Sequence, residues 1–276
     1  MKRIILLVAA TCLLSACVTS PTGRKQLMLI SPEAAIVESR AAYLSTVSDL
    51  GSKDQLSSDK ALAQRVATIT GRLVSVAIAE YPQSAKWEWS VALVDDDKTV
   101  NAWCMAGGRM AVYTGLFKQL TLTDAEFAQI MGHEISHALA NHTAERMSRA
   151  MATTLGVVAV GAMSDNPNMT MSAAGMAATL ALELPNSRTA ELEADQLGLE
   201  IATRAGYDPD AAVSLWAKMG AVGDGKSPPE FLSTHPAPQN RQAALAAMAV
   251  EVRKLNPQGQ LAPVHPVQIL TADKKP

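Results

Sequence analysis

The stretch that decides the reading is Thr123-Asp124-Ala125-Glu126-Phe127-Ala128-Gln129-Ile130-Met131-Gly132-His133-Glu134-Ile135-Ser136-His137-Ala138-Leu139. Thr123 followed three residues later by Glu126 is a capping box, so a helix starts here. The apolar residues behind it keep a helical spacing. On such a helix, positions four apart lie about 40° apart around the axis. His133 and His137 therefore present two imidazoles to one side, with Glu134 beside them. This H-E-x-x-H pattern supplies two ligands for one catalytic zinc ion and a general base for a water on it.

Two histidines leave such a site incomplete, because a catalytic zinc takes three protein ligands and keeps one position open. A third histidine six residues after His137 would complete one pattern, but position 143 is Thr. His142 is about 140° around the helix from His137 and reads as a capping or surface residue. A carboxylate from a second helix is the other solution. Glu191-Leu192-Glu193-Ala194-Asp195 supplies it. Glu191 and Asp195 share a face, so Glu191 can ligate the metal while Asp195 accepts a hydrogen bond from His133. Glu193 points away from that face and reads as solvated.

Working outward, Ser31-Pro32-Glu33 starts a helix running to about residue 50, and residues 59–80 form a second. Residues 87–94 alternate and read as a strand. Asp95-Asp96-Asp97 is a turn whose spacing fits no calcium loop. Residues 101–105 and 109–113 flank Ala106-Gly107-Gly108 as a hairpin. One of these two strands is expected to be an edge beside the cleft, where an extended polypeptide could pair through its backbone. Cys104 lies there and reads as a buried thiol. Residues 150–182 are rich in Ala, Met and Gly and read as a buried or cleft-covering helical hairpin, too short in either half to span a bilayer. Helices follow at about 188–205, 209–220 and 237–255, with Gly206 as a cap. The fold class is mainly α with a small sheet, α+β, with the zinc between two helices. The expected organisation is a leader at 1–16, a tether at 17–30, a catalytic domain at 31–255 and a loose Pro-rich tail at 256–276.

The leader reading rests on Lys2-Arg3, an apolar run over residues 4–14, and Leu14-Ser15-Ala16-Cys17, a lipobox ending in an acylated cysteine. Val18 after it is an outer-membrane rather than an inner-membrane address. This places the chain on the periplasmic side of the outer membrane, anchored through Cys17. The net charge is −2, and −4 once Lys2 and Arg3 leave with the leader. No basic stripe or aromatic stacking series is present, which argues against nucleic acid as a partner. With Cys12 in the leader and Cys17 acylated, Cys104 has no partner for a disulfide.

H-E-x-x-H followed about fifty residues later by E-x-E-A-D resembles the gluzincin peptidase family M48, which includes HtpX, the CAAX prenyl endopeptidases, the OMA-type proteases and lipoproteins of the BepA and LoiP type. Asn101-Ala102, Gly107-Gly108 and Tyr113-Thr114-Gly115-Leu116 resemble the family's strand before the catalytic helix. Ser233-Thr234-His235-Pro236 with Arg241 resembles its late histidine motif, and Thr22-Gly23-Arg24 its lipoprotein members. Within Met105-Ala106-Gly107, this chain departs from the many relatives that have Pro before the two glycines. The resemblance implies a zinc endopeptidase, with His133, His137 and Glu191 on one zinc ion, Glu134 catalytic and Asp195 supporting. His235 is implied as a further catalytic group, either stabilising the oxyanion or occupying zinc's open position to hold the enzyme latent. Asn101, Gly108, Tyr113 and Arg241 are the implied substrate-contacting positions, with Arg241 and Tyr113 as weaker oxyanion donors. Substrates would be unfolded or misassembled envelope polypeptides. The alternative is a chaperone-like factor of the outer-membrane assembly machinery with a mostly latent site.

Overall fold

The computed structural model describes residues 17–162, 187–222, 230–236 and 240–274. The expected leader and residues 163–182 of the Ala/Met/Gly-rich segment lie outside them. The chain divides into two compact units, Met1–Ala35 with Ala140–Leu184, and Ile36–Leu139 with Pro185–Pro276.

In the first unit, strand β1 (Cys17–Thr19) pairs antiparallel with β2 (Lys25–Leu27), Cys17 opposite Leu27. Gly23, at φ +89°, closes the turn. The partner of this hairpin is helix α5 (His142–Ala162), through the buried Glu145. Arg24 donates to both carboxylate oxygens, at 2.8 and 2.7 Å, and Gln26 donates at 2.9 Å. Burial works against ionisation of Glu145, but Arg24, Arg149 and Gln26 outweigh it and lower its pKa to about 2. Residues 17–27 of the expected tether form a hairpin clamped to α5, because a buried carboxylate needs the charge and donors that Arg24 and Gln26 bring. His142 begins α5 and is buried, not on the surface.

In the second unit a four-stranded sheet has the order β4-β5-β3-β6. Strand β3 is Ser90–Val94, β4 Ala102–Met105, β5 Arg109–Tyr113 and β6 Gln268–Leu270. β4 and β5 form the expected antiparallel hairpin, whereas β3 runs parallel to both β5 and β6. Alternation divides the side chains between two faces. Val91, Leu93, Ala102, Met110 and Val112 join the main core. Ala92, Val94, Ala111 and Leu270 pack with Tyr43 and Val47, which lie on helix α1 (Pro32–Ser52).

The main core is filled by helix α2 (Lys60–Glu80), the short α3 (Thr114–Leu120), α4 (Asp124–Leu139), α6 (Arg188–Arg204), α7 (Ala211–Ala221), the one-turn α8 (Glu230–Thr234) and α9 (Arg241–Val252). Asp59 caps α2 by accepting from the Leu62 N–H at 2.9 Å. The capping box of α4 is reciprocal: the Glu126 N–H donates to Thr123 Oγ1 at 3.2 Å, and the Thr123 N–H to Glu126 Oε2 at 2.8 Å. Gly206 ends α6 at φ +95°, as expected. The architecture is mainly helical with small sheets, the α+β class read from the sequence.

A further expectation is corrected: the tail is not loose throughout, and its β6 joins the sheet beside β3. The Ala262 N–H donates to Ala205 O, His265 N–H to Gly71 O and Gln268 N–H to Trp89 O. A Cβ on Gly71 would lie 2.5 Å from the His265 carbonyl oxygen, so the glycine inside α2 makes room for this returning segment. Leu270 then ends buried in the core, 3% exposed. Leu270→Ala is expected to cost about 2–4 kcal/mol in chemical denaturation, as for other buried leucines. A cost near zero would mean that the tail is loose after all.

Candidate metal centre

The site is built where α4 crosses α6. A Cβ on Gly132 would lie 2.8 Å from the Gly198 carbonyl oxygen, and one on Gly198 2.6 Å from the His133 nitrogen. The two backbones therefore touch, with no side chain between them. One turn before Gly198 on α6 stands Asp195, and two turns before it Glu191. One turn after His133 on α4 stands His137. The helices run antiparallel, so the two pairs face each other.

Four side chains converge. His133 Nε2 is 3.1 Å from His137 Nε2 and 3.2 Å from Glu191 Oε2, and Glu191 Oε1 is 3.4 Å from His137 Nε2. His235 adds a fourth atom, its Nδ1 lying 3.1 Å from Glu191 Oε1 and 3.3 Å from His133 Nε2. All four residues are buried. Ligands about 2.1 Å from a tetrahedral metal ion stand about 3.4 Å from one another. The observed separations match that figure, and the donor set of three imidazoles and one carboxylate is one that zinc accepts. The residues present therefore fit a divalent ion of this type. His142 is not among them.

The supports lie behind His133. Its Nδ1 is 3.0 Å from Asp195 Oδ1. Arg241 donates to both oxygens of Asp195, from Nε at 2.7 Å and Nη2 at 2.6 Å. The guanidinium carbon sits 3.8 Å from the centre of the Trp216 ring. Burial pulls the His133 pKa down, but Asp195 and Glu191 outweigh it and raise it to about 9. Burial also opposes ionisation of Glu191, yet contacts with His133, His137 and His235 hold its carboxyl far below the usual range.

Glu134 projects beside the cluster. Burial pushes its pKa up against the pull of His235 and His133. Its Oε1 is buried without a hydrogen-bond partner among the described residues, 3.4 Å from His235 Nε2. The carboxylate also accepts from the Cys104 backbone N–H. That bond ties it to β4, which the strand order makes an edge. The Tyr113 N–H donates to Asn101 O at 3.2 Å, and antiparallel alternation then turns the backbone groups of Ala102 and Cys104 outward. The Cys104 thiol is partly buried, and burial with Glu134 nearby raises its pKa well above the ordinary value.

The remaining expected positions are corrected or re-placed. Arg241 is 2% exposed, its Nε–Nη2 edge is taken by Asp195 and its Nη1 donates to His235 O at 3.5 Å, so it holds Asp195 instead of meeting substrate. Tyr113 shares a strand face with Ala111, packing with the Tyr43 cluster on the side of the sheet away from α4. Gly108 lies under the Trp89 ring, and its N–H and C=O are spent on Met105 O and the Ser90 N–H. Asn101 is buried and donates to Glu230 Oε1 at 3.0 Å. With the Phe231 N–H bond to Val100 O, it fastens α8, the turn that carries His235. Glu193 is buried, since α6 is packed by α2, α4 and α9 and its exposed side carries Leu192.

Sequence reasoning missed Trp216 and Phe231. The Phe231 ring stacks on His235, centroids 4.5 Å apart and planes at 26°. The one signal was its spacing, one helical turn before the histidine.

Residues 60–249, well over half the chain, match the model of peptidase family M48. The mitochondrial metalloendopeptidase OMA1 of Arabidopsis thaliana is 38% identical over 172 residues, 62% of this chain and 33% of that protein. The beta-barrel assembly-enhancing protease of Escherichia coli K12 is 29% identical over 208 residues, 72% of this chain and 41% of that protein. The OMA1 of Schizosaccharomyces pombe is 30% identical over 201 residues, 72% of this chain and 56% of that protein. The chain thus spans about a third to just over half the length of these relatives.

If Asp195 and Arg241 orient His133, Asp195→Asn should weaken zinc binding by about 10–100-fold, read by competition with a chromophoric chelator, with the circular dichroism spectrum unchanged. Unchanged affinity would leave Asp195 a packing residue only.

Proposed function

This chain belongs to peptidase family M48, and from that premise we propose that it is a zinc-dependent endopeptidase acting on polypeptides in the bacterial envelope. The observation that carries the reading is the convergence of His133, His137, Glu191 and His235, whose donor atoms lie within 4.8 Å of one another, with Glu134 Oε1, which has no hydrogen-bond partner among the described residues, beside them. Zinc, when bound, supplies Lewis acidity toward water and toward a peptide carbonyl. His133, His137 and Glu191 would hold it, with Asp195 fixing the tautomer of His133. Glu134 Oε1 takes a proton from the attacking water and returns it to the leaving amine. Burial raises its pKa above the ordinary carboxylate value, which strengthens it as a proton acceptor. The outward backbone groups of Ala102 and the carbonyl of Cys104, whose N–H is held by Glu134, pair an extended substrate segment, which selects unfolded or loosely structured chains.

The cell address rests on the sequence. Cys17 at the end of the lipobox supports acylation, and Val18 supports the outer membrane, periplasmic side. The name of the Escherichia coli relative concerns beta-barrel assembly, which supports misassembled outer-membrane proteins as substrates and the assembly machinery as a partner.

A second reading is favoured by one observation. His235 Nδ1 lies 3.3 Å from His133 Nε2 and 3.1 Å from Glu191 Oε1, so it would serve as a fourth ligand to a zinc ion held there. In this reading the resting site is closed, and the protein works for part of its time as a chaperone-like factor.

Glu134→Gln is expected to lower casein cleavage by at least about 10³-fold while zinc stays bound, and chelation should abolish cleavage reversibly. A zinc-loaded wild-type preparation inert toward unfolded substrates would remove the enzyme reading. His235→Ala is expected to raise basal cleavage. A loss instead would assign His235 to stabilising the oxyanion.

A further inference from the structure

The unit of Met1–Ala35 with Ala140–Leu184 carries a surface that the protease reading does not use. Beyond the Glu145 clamp, α5 exposes Met151, Leu155 and Val158, at 43, 56 and 47%. Their spacing of four and three aligns them on one helix face. Single exposed apolar residues are ordinary, but three in a row along one helix call for a covering surface. The helix is long but not sufficiently apolar to span: no helix among the described residues can cross a membrane.

Charge indicates what covers it. The charged residues of α5 are Glu145, Arg146 and Arg149, all in its first turns. Glu145 is buried and spent on Arg24, Gln26 and Arg149. Arg146 stands about 180° from Leu155, and Arg149 about 180° from Val158. Both are exposed. The stripe is therefore backed by cations, the pattern of a helix that lies in a membrane interface. The described residues of this unit carry Arg24, Lys25, Arg146 and Arg149 against Glu33 and Glu145, a net +2, although the whole chain is −2. From residue 150 to 182 the sequence has one charge, Asp165. A second copy carries the same net positive charge and is not drawn to this unit electrostatically, whereas anionic headgroups are.

We infer that α5 lies in the surface of an anionic lipid bilayer, with Met151, Leu155 and Val158 among the acyl chains and Arg146 and Arg149 reaching back to the phosphates. This contact does not depend on acylation. It shares its compact unit with the exposed Cys17 and Val18.

The test uses the full chain with Cys12, Cys17 and Cys104 replaced by serine, which removes any acyl anchor. A nitroxide is placed at Leu155→Cys or, as a reference in the other unit, at the exposed Val250→Cys. Both proteins are mixed with vesicles of phosphatidylethanolamine and phosphatidylglycerol. The ratio of collisions with oxygen to collisions with a water-soluble nickel chelate is expected to be at least tenfold higher at 155 than at 250. In phosphatidylcholine vesicles the difference should fall at least threefold. Equal ratios at the two positions would overturn the inference. So would protection of position 155 from both reagents, the signature of a covering protein, or a depth indifferent to headgroup charge.

Discussion

The contact on which the site depends is the one between Gly132 and Gly198, where α4 and α6 meet backbone to backbone. Helices separated by ordinary side chains keep their axes about 8–10 Å apart. Imidazole and carboxylate are short, and from that range His133 would reach Asp195 less closely. With both glycines in place, His133 meets Asp195 on one side and Glu191 on the other, and His137 reaches the same carboxylate one turn along. A methyl group at either position would push the helices apart and loosen these three contacts together. The crossing also explains why α4 is buried over nearly its whole length.

Such closeness gathers charge that an apolar core would reject. Glu134, Glu191 and Asp195 are all buried, and Arg241 is the buried cation that meets Glu191 and Asp195. Removing a charge from water costs several kcal/mol unless a counter-charge and hydrogen bonds replace the solvent. Arg241 does this for Asp195, and Trp216 covers the guanidinium face. Glu191 relies on three imidazoles. The sum remains weighted toward carboxylate, so the cluster suits a divalent cation at its centre. The same balance keeps Arg241 from meeting substrate, because a guanidinium turned outward would leave Asp195 uncompensated.

Local signals were legible and distant ones were not. Thr123 and Glu126 announced α4, and the spacing of Glu191 and Asp195 announced their shared face, since each depends only on helix geometry within one turn. The hairpin at Ala106-Gly107-Gly108 was legible for the same reason. Strand β6 was not, because Gln268–Leu270 pairs with a strand more than 170 residues earlier and its Pro-rich approach resembles a loose tail. Tyr113 was placed near the site because its sequence neighbours are. The period of two then put it on the opposite face of the sheet. Glu193 looked solvated because one helix face was considered, while three helices pack around α6.

The order of the chain carries a last consequence. His137 and Glu191 are neighbours in space, yet residues 140–184 between them belong to the other compact unit. The Gly132–Gly198 contact therefore closes a loop of more than sixty residues. Closure entropy grows only with the logarithm of loop length, so doubling the insert costs about 0.6 kcal/mol. A metal site so constructed tolerates a long insert almost as well as a short one. Its sensitivity lies at the two glycines, where a single methyl group disturbs more than the insertion of a whole helix between them.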